Sequence, residues 1–249
     1  MFLEVCVDSL ASARAAIRGG ADRLELCSAL AIGGLTPYGA LLAQIRQESD
    51  IPIRCLIRPR AGDFLYTGEE IAMMAAQIHD LRKLGADGFV IGCLTPYGYL
   101  DSRAIDPLLD AAQGCGLTLH RCIDVSRNLQ ETYLCASELG FDTVLTSGGA
   151  PNCYAGKENI AALMELHDQK GGLEVLIGAG VNSRVIIAFR KELPHVRAFH
   201  MSGSTAVESS MIFRRDGIPM GIPGFDEWHI KQTGQNIIED AVSALKSPL

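Results

Sequence analysis

Two short segments near the start of the chain carry the same pattern of a carboxylate and a thiol. Leu3-Glu4-Val5-Cys6 is followed, after a short helix-like segment, by Leu24-Glu25-Leu26-Cys27. In each segment the acid and the cysteine are two positions apart, so on a β-strand both side chains lie on one face. Neighbouring strands are about 4.8 Å apart, which would bring two carboxylates and two thiols into one pocket.

This pattern predicts a metal site. Thiolates are preferred ligands of Cu(I), so Cys6 and Cys27 are the main candidate ligands and Cu(I) is the expected ion, with a divalent metal as the alternative. The sequence shows no sign of an organic cofactor. The competing interpretation is that both cysteines are small buried residues that pack a narrow core.

Two histidines follow later apolar segments and extend the same set of groups. In His120-Arg121-Cys122-Ile123-Asp124 the alternation of a strand places His120, Cys122 and Asp124 on one face, and His200 occupies a similar position near the C-terminus. Glu4, Glu25, His120 and His200 are therefore additional candidate metal ligands. In an enzyme, Glu25, His120 and Asp124 would instead move protons. A histidine in such a position is also often a hydrogen-bonded core residue.

Arginines and small residues at other segment ends indicate an anion site. Arg58 and Arg60 are two positions apart, and paired guanidinium groups suit a carboxylate or a phosphate. Glycine-rich and serine-rich segments add backbone N–H groups that bind phosphate in many barrels. The complete set of candidate anion-binding residues is Arg58, Arg60, Ser147, Gly178, Gly180 and Ser202. The alternatives are salt bridges from the arginines to Glu4, Glu25 or Asp63, and tight turns at the glycines.

Eight apolar, β-rich segments recur along the chain and must position these groups. They are Phe2-Val7, Arg23-Cys27, Ile53-Arg58, Gly88-Cys93, Leu117-Cys122, Thr143-Ser147, Glu174-Gly178 and Ala198-Ser202. Nearly continuous apolar strands that alternate with helices are typical of a parallel sheet covered by helices. The pattern predicts an α/β fold, a single-domain (β/α)8 TIM-like barrel, whose active residues lie at the C-terminal ends of the strands.

Helix signals separate these strands. We expect helices over Ala11-Arg18, after Thr36-Pro37, from Thr67 to Gly85, from Asp101 to Gly114, from Asn128 to Gly140, and over Lys157-Lys170 and Ser183-Leu193. The segment from about 203 to 225 is rich in Gly, Ser and Pro and predicts a long loop, followed by a final helix near Thr233-Lys246. One domain over residues 1–249 accommodates all of these elements.

Composition limits the classes of partner. The chain has 249 residues, of which 48% are hydrophobic, and a formal net charge of -7, with an isoelectric point near 5.4. An acidic chain without a basic patch is a poor partner for nucleic acid. It has no uninterrupted apolar run of about 18 residues, so we expect no membrane span. Its eight single cysteines, without a secretory signal, predict reduced thiols and a cytoplasmic location.

Several ordered motifs together resemble the CutC copper homeostasis family. They are Ala21-Asp22-Arg23-Leu24-Glu25-Leu26-Cys27, Gly33-Gly34-Leu35-Thr36-Pro37, Arg58-Pro59-Arg60, Asp63-Phe64, His120-Arg121-x-x-Asp124, Leu145-Thr146-Ser147-Gly148 and Met211-x-Phe213-Arg214. The resemblance runs essentially from end to end. The chain departs from the family pattern at Ala61, at Cys122-Ile123 and at Gly203, which follows Ser202.

The resemblance implies a TIM-like barrel, a cytoplasmic location, a homodimer or higher homo-oligomer, and a role in copper handling through Cu(I) binding. The residues also support an alternative from a different class. That alternative is a TIM-barrel enzyme that acts on a small anionic substrate, most simply a phosphorylated one, by acid-base chemistry.

Overall fold

The computed structural model describes residues 1–215, 217–218, 220–222 and 224–248, and only the backbone of Lys170. Eight parallel strands form a closed barrel in sequence order, and the last strand pairs with the first. The strands are β1 (Phe2–Val7), β2 (Arg23–Leu26), β3 (Ile53–Leu56), β4 (Gly88–Ile91), β5 (Gly116–Leu119), β6 (Thr143–Thr146), β7 (Glu174–Ile177) and β8 (Ala198–Met201). The prediction of a (β/α)8 TIM-like barrel is confirmed.

A helix follows each strand of the barrel. The helices are α1 (Leu10–Gly19), α2 (Gly39–Glu48), α3 (Gly68–Lys83), α4 (Ser102–Ala112), α5 (Leu129–Glu138), α6 (Lys157–Lys170), α7 (Ser183–Glu192) and α8 (Gln235–Lys246). The start signals predicted for α3, α4 and α5 act as expected, whereas Thr36 does not cap α2, whose N-cap is Tyr38 without a side-chain hydrogen bond. Thr67 and Glu70 form a capping box at the start of α3, and the side chains of Asp101 and Asn128 accept hydrogen bonds from the first turns of α4 and α5.

Several strands end earlier than the sequence pattern predicts, and the difference matters most at β5. This strand ends at Leu119, and a 3-10 helix occupies Arg121–Val125. The predicted alternation of His120, Cys122 and Asp124 on one strand face is therefore wrong. A 3-10 turn repeats every three residues, so side chains two positions apart point in different directions.

The segment predicted as a long loop after the eighth strand contains regular structure at both ends. Strand β9 (Ser204–Glu208) pairs antiparallel with β10 (His229–Thr233), and α8 begins two residues later at Gln235. Positions 216, 219 and 223 of the predicted loop lie outside the described residues. The hairpin extends from the end of β8 and contributes residues to a cavity at the barrel mouth.

The side chains of β1 alternate between the apolar core and the barrel interior. Leu3, Val5 and Val7 of β1 point outward and pack, fully buried, in the large cluster shared with the helices. The alternate residues Glu4 and Cys6 point to the barrel interior, as period-two alternation requires.

Among the described residues, no helix has both the length and the apolar character needed to cross a bilayer.

Candidate functional site

The barrel register brings one thiol, one carboxylate and one imidazole together. Cys6 of β1 is paired in register with Glu25 of β2, and Glu4 of β1 is paired with His200 of β8. One potential ligand atom from each of Cys6, Glu25 and His200 lies within 4.8 Å of the other two, and all three residues are buried. We refer to these three residues as the Cys–His–Glu cluster.

Glu4 orients the histidine of this cluster. One carboxylate oxygen of Glu4 lies 2.8 Å from Nδ1 of His200, and the other accepts a hydrogen bond from Nε of Arg23. Nε2 of His200 lies 3.7 Å from a carboxylate oxygen of Glu25. Because Glu4 accepts from Nδ1, the Nε2 atom is directed to the cluster, as in the carboxylate–histidine pairs that support bound metals.

The charges in this buried site hold the two carboxyl groups in different states. Burial raises the pKa of Glu4, but hydrogen bonds and charges from His200 and Arg23 outweigh burial and lower it to about 2. Burial raises the pKa of Glu25 to about 7, because the charge of His200 lowers this pKa by less than burial raises it and the nearby charge of Glu4 adds to the rise. Burial lowers the pKa of His200, yet Cys6, Glu25 and Glu4 together raise it well above its ordinary value.

The donor set of the Cys–His–Glu cluster fits a metal ion. A sulfur and an imidazole nitrogen suit Cu(I), and the addition of a carboxylate oxygen suits a divalent ion such as Zn²⁺. Glu4 supplies the outer hydrogen bond that such sites use to fix a histidine. Of the predicted metal ligands, the structure therefore brings together Cys6, Glu25 and His200, and it places Glu4 directly behind His200.

Cys27 lies apart from this cluster. It follows the last residue of β2, its Sγ atom is 3.4 Å from the carbonyl oxygen of Val7, and it packs with Leu56 and Val90. Its side chain is 0% exposed, and burial raises the pKa of its thiol well above the ordinary value. Within the described part of the chain, the residues that line the barrel-mouth cavity include Cys6 but not Cys27. All eight cysteines carry free thiols.

A cavity of about 1070 Å³ opens at the C-terminal ends of the strands. The Cys–His–Glu cluster contributes to its wall, as do Arg58, Phe64 and His120, and the hairpin supplies residues such as Ile230 and Lys231. A volume of this size is in the range of small-molecule sites and far exceeds the space that one metal ion occupies.

The two predicted anion-binding arginines are bound within the protein. Nη1 of Arg58 donates to the carbonyl oxygens of Ile32 and Gly34, at 3.1 and 3.0 Å, and Nη2 donates to that of Gly62 at 3.1 Å. The exposed guanidinium of Arg60 is paired with Glu70 and Asp63, at 2.6 and 3.0 Å. Arg58 lines the cavity, whereas the charge of Arg60 is compensated outside it.

Asp124 and Ser147 hold a loop. One carboxylate oxygen of Asp124 lies 3.0 Å from the backbone N–H of both Ser147 and Gly149, and Arg121 donates to the other oxygen at 2.7 Å. The Ser147 hydroxyl is also buried and donates to the carbonyl oxygen of Ala150. These contacts use both carboxylate oxygens of Asp124 to hold the loop after β6, and among the described residues the cavity lining includes Glu25 but not Asp124.

The other residues predicted to bind an anion, and His120, differ in their access to the cavity. Gly180 and Ser202 line it. The backbone N–H of Gly178 donates to the carbonyl oxygen of Thr146 and is committed to the strand edge. His120 lines the cavity, but burial, reinforced by the charge of Arg58, lowers its pKa to about 3.

Sequence reasoning missed Arg23, the charged partner of Glu4. The available signal was its position two residues before Glu25, which places Arg23 and Glu25 on the same face of β2. The register then sets Arg23 directly opposite Glu4.

The fold and the site together define a (β/α)8 barrel with a buried Cys–His–Glu cluster at its mouth. A sequence model described as the CutC family matches residues 1–205. The chain is 40% identical over 247 residues to the CutC family protein of Porphyromonas gingivalis, covering 99% of this chain and 98% of the relative. This chain belongs to the CutC family.

Two further comparisons carry more specific names. A Caenorhabditis elegans relative named copper homeostasis protein cutC homolog is 42% identical over 209 residues, 84% of this chain and 82% of the relative. The crystal structure of a Streptococcus agalactiae protein described as copper homeostasis protein CutC superposes with a TM-score of 0.76 at 29% identity, covering 81% of this chain and 98% of that one.

Phosphoribosylanthranilate isomerase from Pyrococcus furiosus shares the barrel alone. Its TM-score is 0.55 at 16% identity, and the match covers 99% of this chain and 98% of that one.

Proposed function

We propose that this chain binds Cu(I) in cytoplasmic copper homeostasis, with Cys6 and His200 as the principal ligands and Glu25 beside them. The observation that carries the proposal is the approach of their three ligand atoms to within 4.8 Å in a wall of the cavity. The names of the nematode and streptococcal relatives support the choice of metal. Sulfur and imidazole are donors that Cu(I) accepts, whereas a carboxylate is a weaker third ligand for this ion.

This assignment differs from the two-cysteine site suggested by the sequence pattern, so the two versions must be separated. Cys27 is fully buried and packs with Leu56 and Val90, whereas Cys6 lines the cavity. A metal that enters through the barrel mouth therefore meets Cys6 and His200 first. Cys27 would have to leave its apolar contacts to become the second sulfur ligand.

The test is an anaerobic Cu(I) titration against a competing chromogenic chelator. We expect one tight site in the wild type, which is lost in Cys6→Ser and in His200→Gln and is kept in Cys27→Ser. Cys135→Ser, at a partly buried position on α5, is the matched control. Loss of the site in both Cys6→Ser and Cys27→Ser would favour the two-cysteine version, and unchanged binding in Cys6→Ser would reject both.

The volume of the cavity supports a second candidate, an enzyme that acts on a small anionic molecule. About 1070 Å³ accommodates an organic substrate beside the Cys–His–Glu cluster. Glu25, with its pKa near 7, is the group that could both accept and donate a proton at neutral pH. Native mass spectrometry of protein purified without added metal distinguishes the candidates, because a copper adduct favours the first and an organic adduct the second.

We also propose a homodimer or higher homo-oligomer, as the family resemblance implies. Light scattering coupled to size exclusion measures the mass directly, and a value near 26.7 kDa would contradict this proposal.

A further inference from the structure

A second part of the cavity wall contains two buried N–H groups that have no hydrogen-bond partner among the described residues. Their nitrogen atoms are Nε of Arg58 and Nε2 of His120. Both residues line the cavity, and Phe64 packs against both of them. The Phe64 ring centroid lies 4.7 Å from that of His120 and 5.4 Å from the guanidinium carbon of Arg58.

The hydrogen bonds of His120 determine which of its ring nitrogens carries the proton. The backbone N–H of Cys122 donates to Nδ1 of His120 at 3.2 Å, so Nδ1 is an acceptor. A neutral imidazole then carries its hydrogen on Nε2. The ring stays neutral because burial, aided by the charge of Arg58, keeps its pKa near 3. His120 is thus a fixed hydrogen-bond donor and is poorly suited to the proton transfer expected of it from the sequence.

Arg58 is held in place by its other nitrogens. Nη1 and Nη2 donate to three backbone carbonyl oxygens, which leaves Nε–H without a partner in the described residues. A buried donor without a partner is destabilising, and the ligand-free protein already bears this cost, so a ligand that accepts hydrogen bonds from both donors would remove it. Two donors and one positive charge in the same wall are complementary to an oxygen anion.

We propose that Arg58 and His120 bind the oxyanion, a carboxylate or a phosphate, of a small organic molecule in the cavity. The oxygens accept hydrogen bonds from Arg58 Nε–H and His120 Nε2–H when the Phe64 ring turns aside. The remaining volume holds the rest of the molecule next to the Cys–His–Glu cluster. This subsite follows strands β3 and β5, whereas the cluster lies on β1, β2 and β8, so the inference shares the cavity of the proposed function but does not require metal binding.

The experiment is an NMR titration of metal-free, ¹⁵N-labelled protein with malonate in one series and inorganic phosphate in another. Long-range ¹H–¹⁵N spectra report the ring nitrogens of His120, and the Nε–H signal reports Arg58. We expect His120 to be neutral with its proton on Nε2, and both N–H signals to move downfield with saturation. A response to malonate alone identifies a carboxylate, and a response to phosphate alone identifies a phosphate. The absence of saturable shifts with both probes would overturn the proposal.

Variants of His120 test whether the oxyanion binds at this part of the cavity wall. His120→Phe removes the donor and is expected to weaken binding about ten-fold or more, while His120→Gln, which keeps an N–H donor, retains part of it. His79→Phe changes an exposed histidine on α3 and serves as the control. Equal binding by His120→Phe and the wild type would overturn the proposal. Cu(I) titration of His120→Phe should match the wild type. Anion binding and Cu(I) binding are therefore tested independently, and either proposal can be rejected without the other.

Discussion

Nδ1 of His200 lies 2.8 Å from a carboxylate oxygen of Glu4, a residue 196 positions away in the sequence. This contact exists because β8 pairs with β1 and closes the barrel. Arg23 binds the other oxygen of Glu4, so the carboxylate is held from both sides. His200 consequently presents Nε2, rather than Nδ1, to Cys6 and Glu25, and the metal-binding proposal depends on this orientation.

Removal of the Glu4 charge should weaken Cu(I) binding without removing a ligand. In Glu4→Gln the histidine loses its anionic partner and is oriented less firmly, so we expect the Cu(I) affinity to fall about 10- to 100-fold. The measurement is the chelator competition assay described above. Glu48→Gln, which removes an exposed carboxylate paired with Arg14, is the matched control and should bind as the wild type does. An unchanged affinity in Glu4→Gln would show that this contact does not support the metal site.

The buried carboxyl group of Glu25 should make the metal-free protein less stable as the pH rises. Its pKa is raised from 4.5 to about 7 in the folded state, so between these values the native protein binds more protons than the unfolded chain. The stabilisation that proton binding by Glu25 gives the folded state is fully present below pH 4.5 and is lost as the pH rises through about 7.

Glu25→Gln should remove this part of the pH dependence. Denaturant unfolding of chelator-treated protein at several pH values across the window is the measurement. The quantity to follow is the free energy of unfolding of the variant minus that of the wild type. We expect this difference to increase by on the order of 1–3 kcal/mol from the lowest to the highest pH of the window. Glu239→Gln, at an exposed position on α8, should parallel the wild type. Parallel curves for Glu25→Gln and the wild type would contradict the raised pKa.

Asp124 should act as a structural residue of the loop after β6. Asp124→Asn weakens the hydrogen bonds from Ser147, Gly149 and Arg121, and we expect the free energy of unfolding to fall by about 1–3 kcal/mol. Asp63→Asn changes a carboxylate that is exposed and paired with Arg60, and it should cost less. Equal stabilities of the two variants, measured by denaturant unfolding, would argue against this structural role of Asp124.

Gly92 lies against the wall that contains His120. A Cβ atom at this position would be 2.5 Å from Sγ of Cys122 and 2.7 Å from Cε1 of His120, so Gly92→Ala must displace one of these side chains. We expect a loss of about 1–3 kcal/mol in the free energy of unfolding and a shift of the His120 ring signals. Gly68→Ala, where no atom lies within 4 Å of the added Cβ, is the control. A stable Gly92→Ala protein with unchanged His120 signals would contradict the packing described for this wall.

Periodicity allowed the fold and part of the site to be predicted from the sequence. Apolar segments with helix caps between them indicated eight strands and a barrel, because local propensity and the alternation of side chains are properties of each segment. The same alternation correctly placed Glu4 and Cys6 on the inner face of β1. It failed at His120 and Asp124, because a 3-10 helix begins directly after β5 and the two-residue repeat ends there.

The sequence by itself determined the barrel and supplied the acidic, basic and sulfur-containing side chains of its mouth. The tertiary structure decided which of them meet. The stagger between β1 and β2 sets Cys6 beside Glu25 and Glu4 beside Arg23, and it leaves Cys27 in an apolar cluster beyond the strand end. Register and barrel closure arise from packing across the whole sheet, so no single segment encodes the contact between Glu4 and His200.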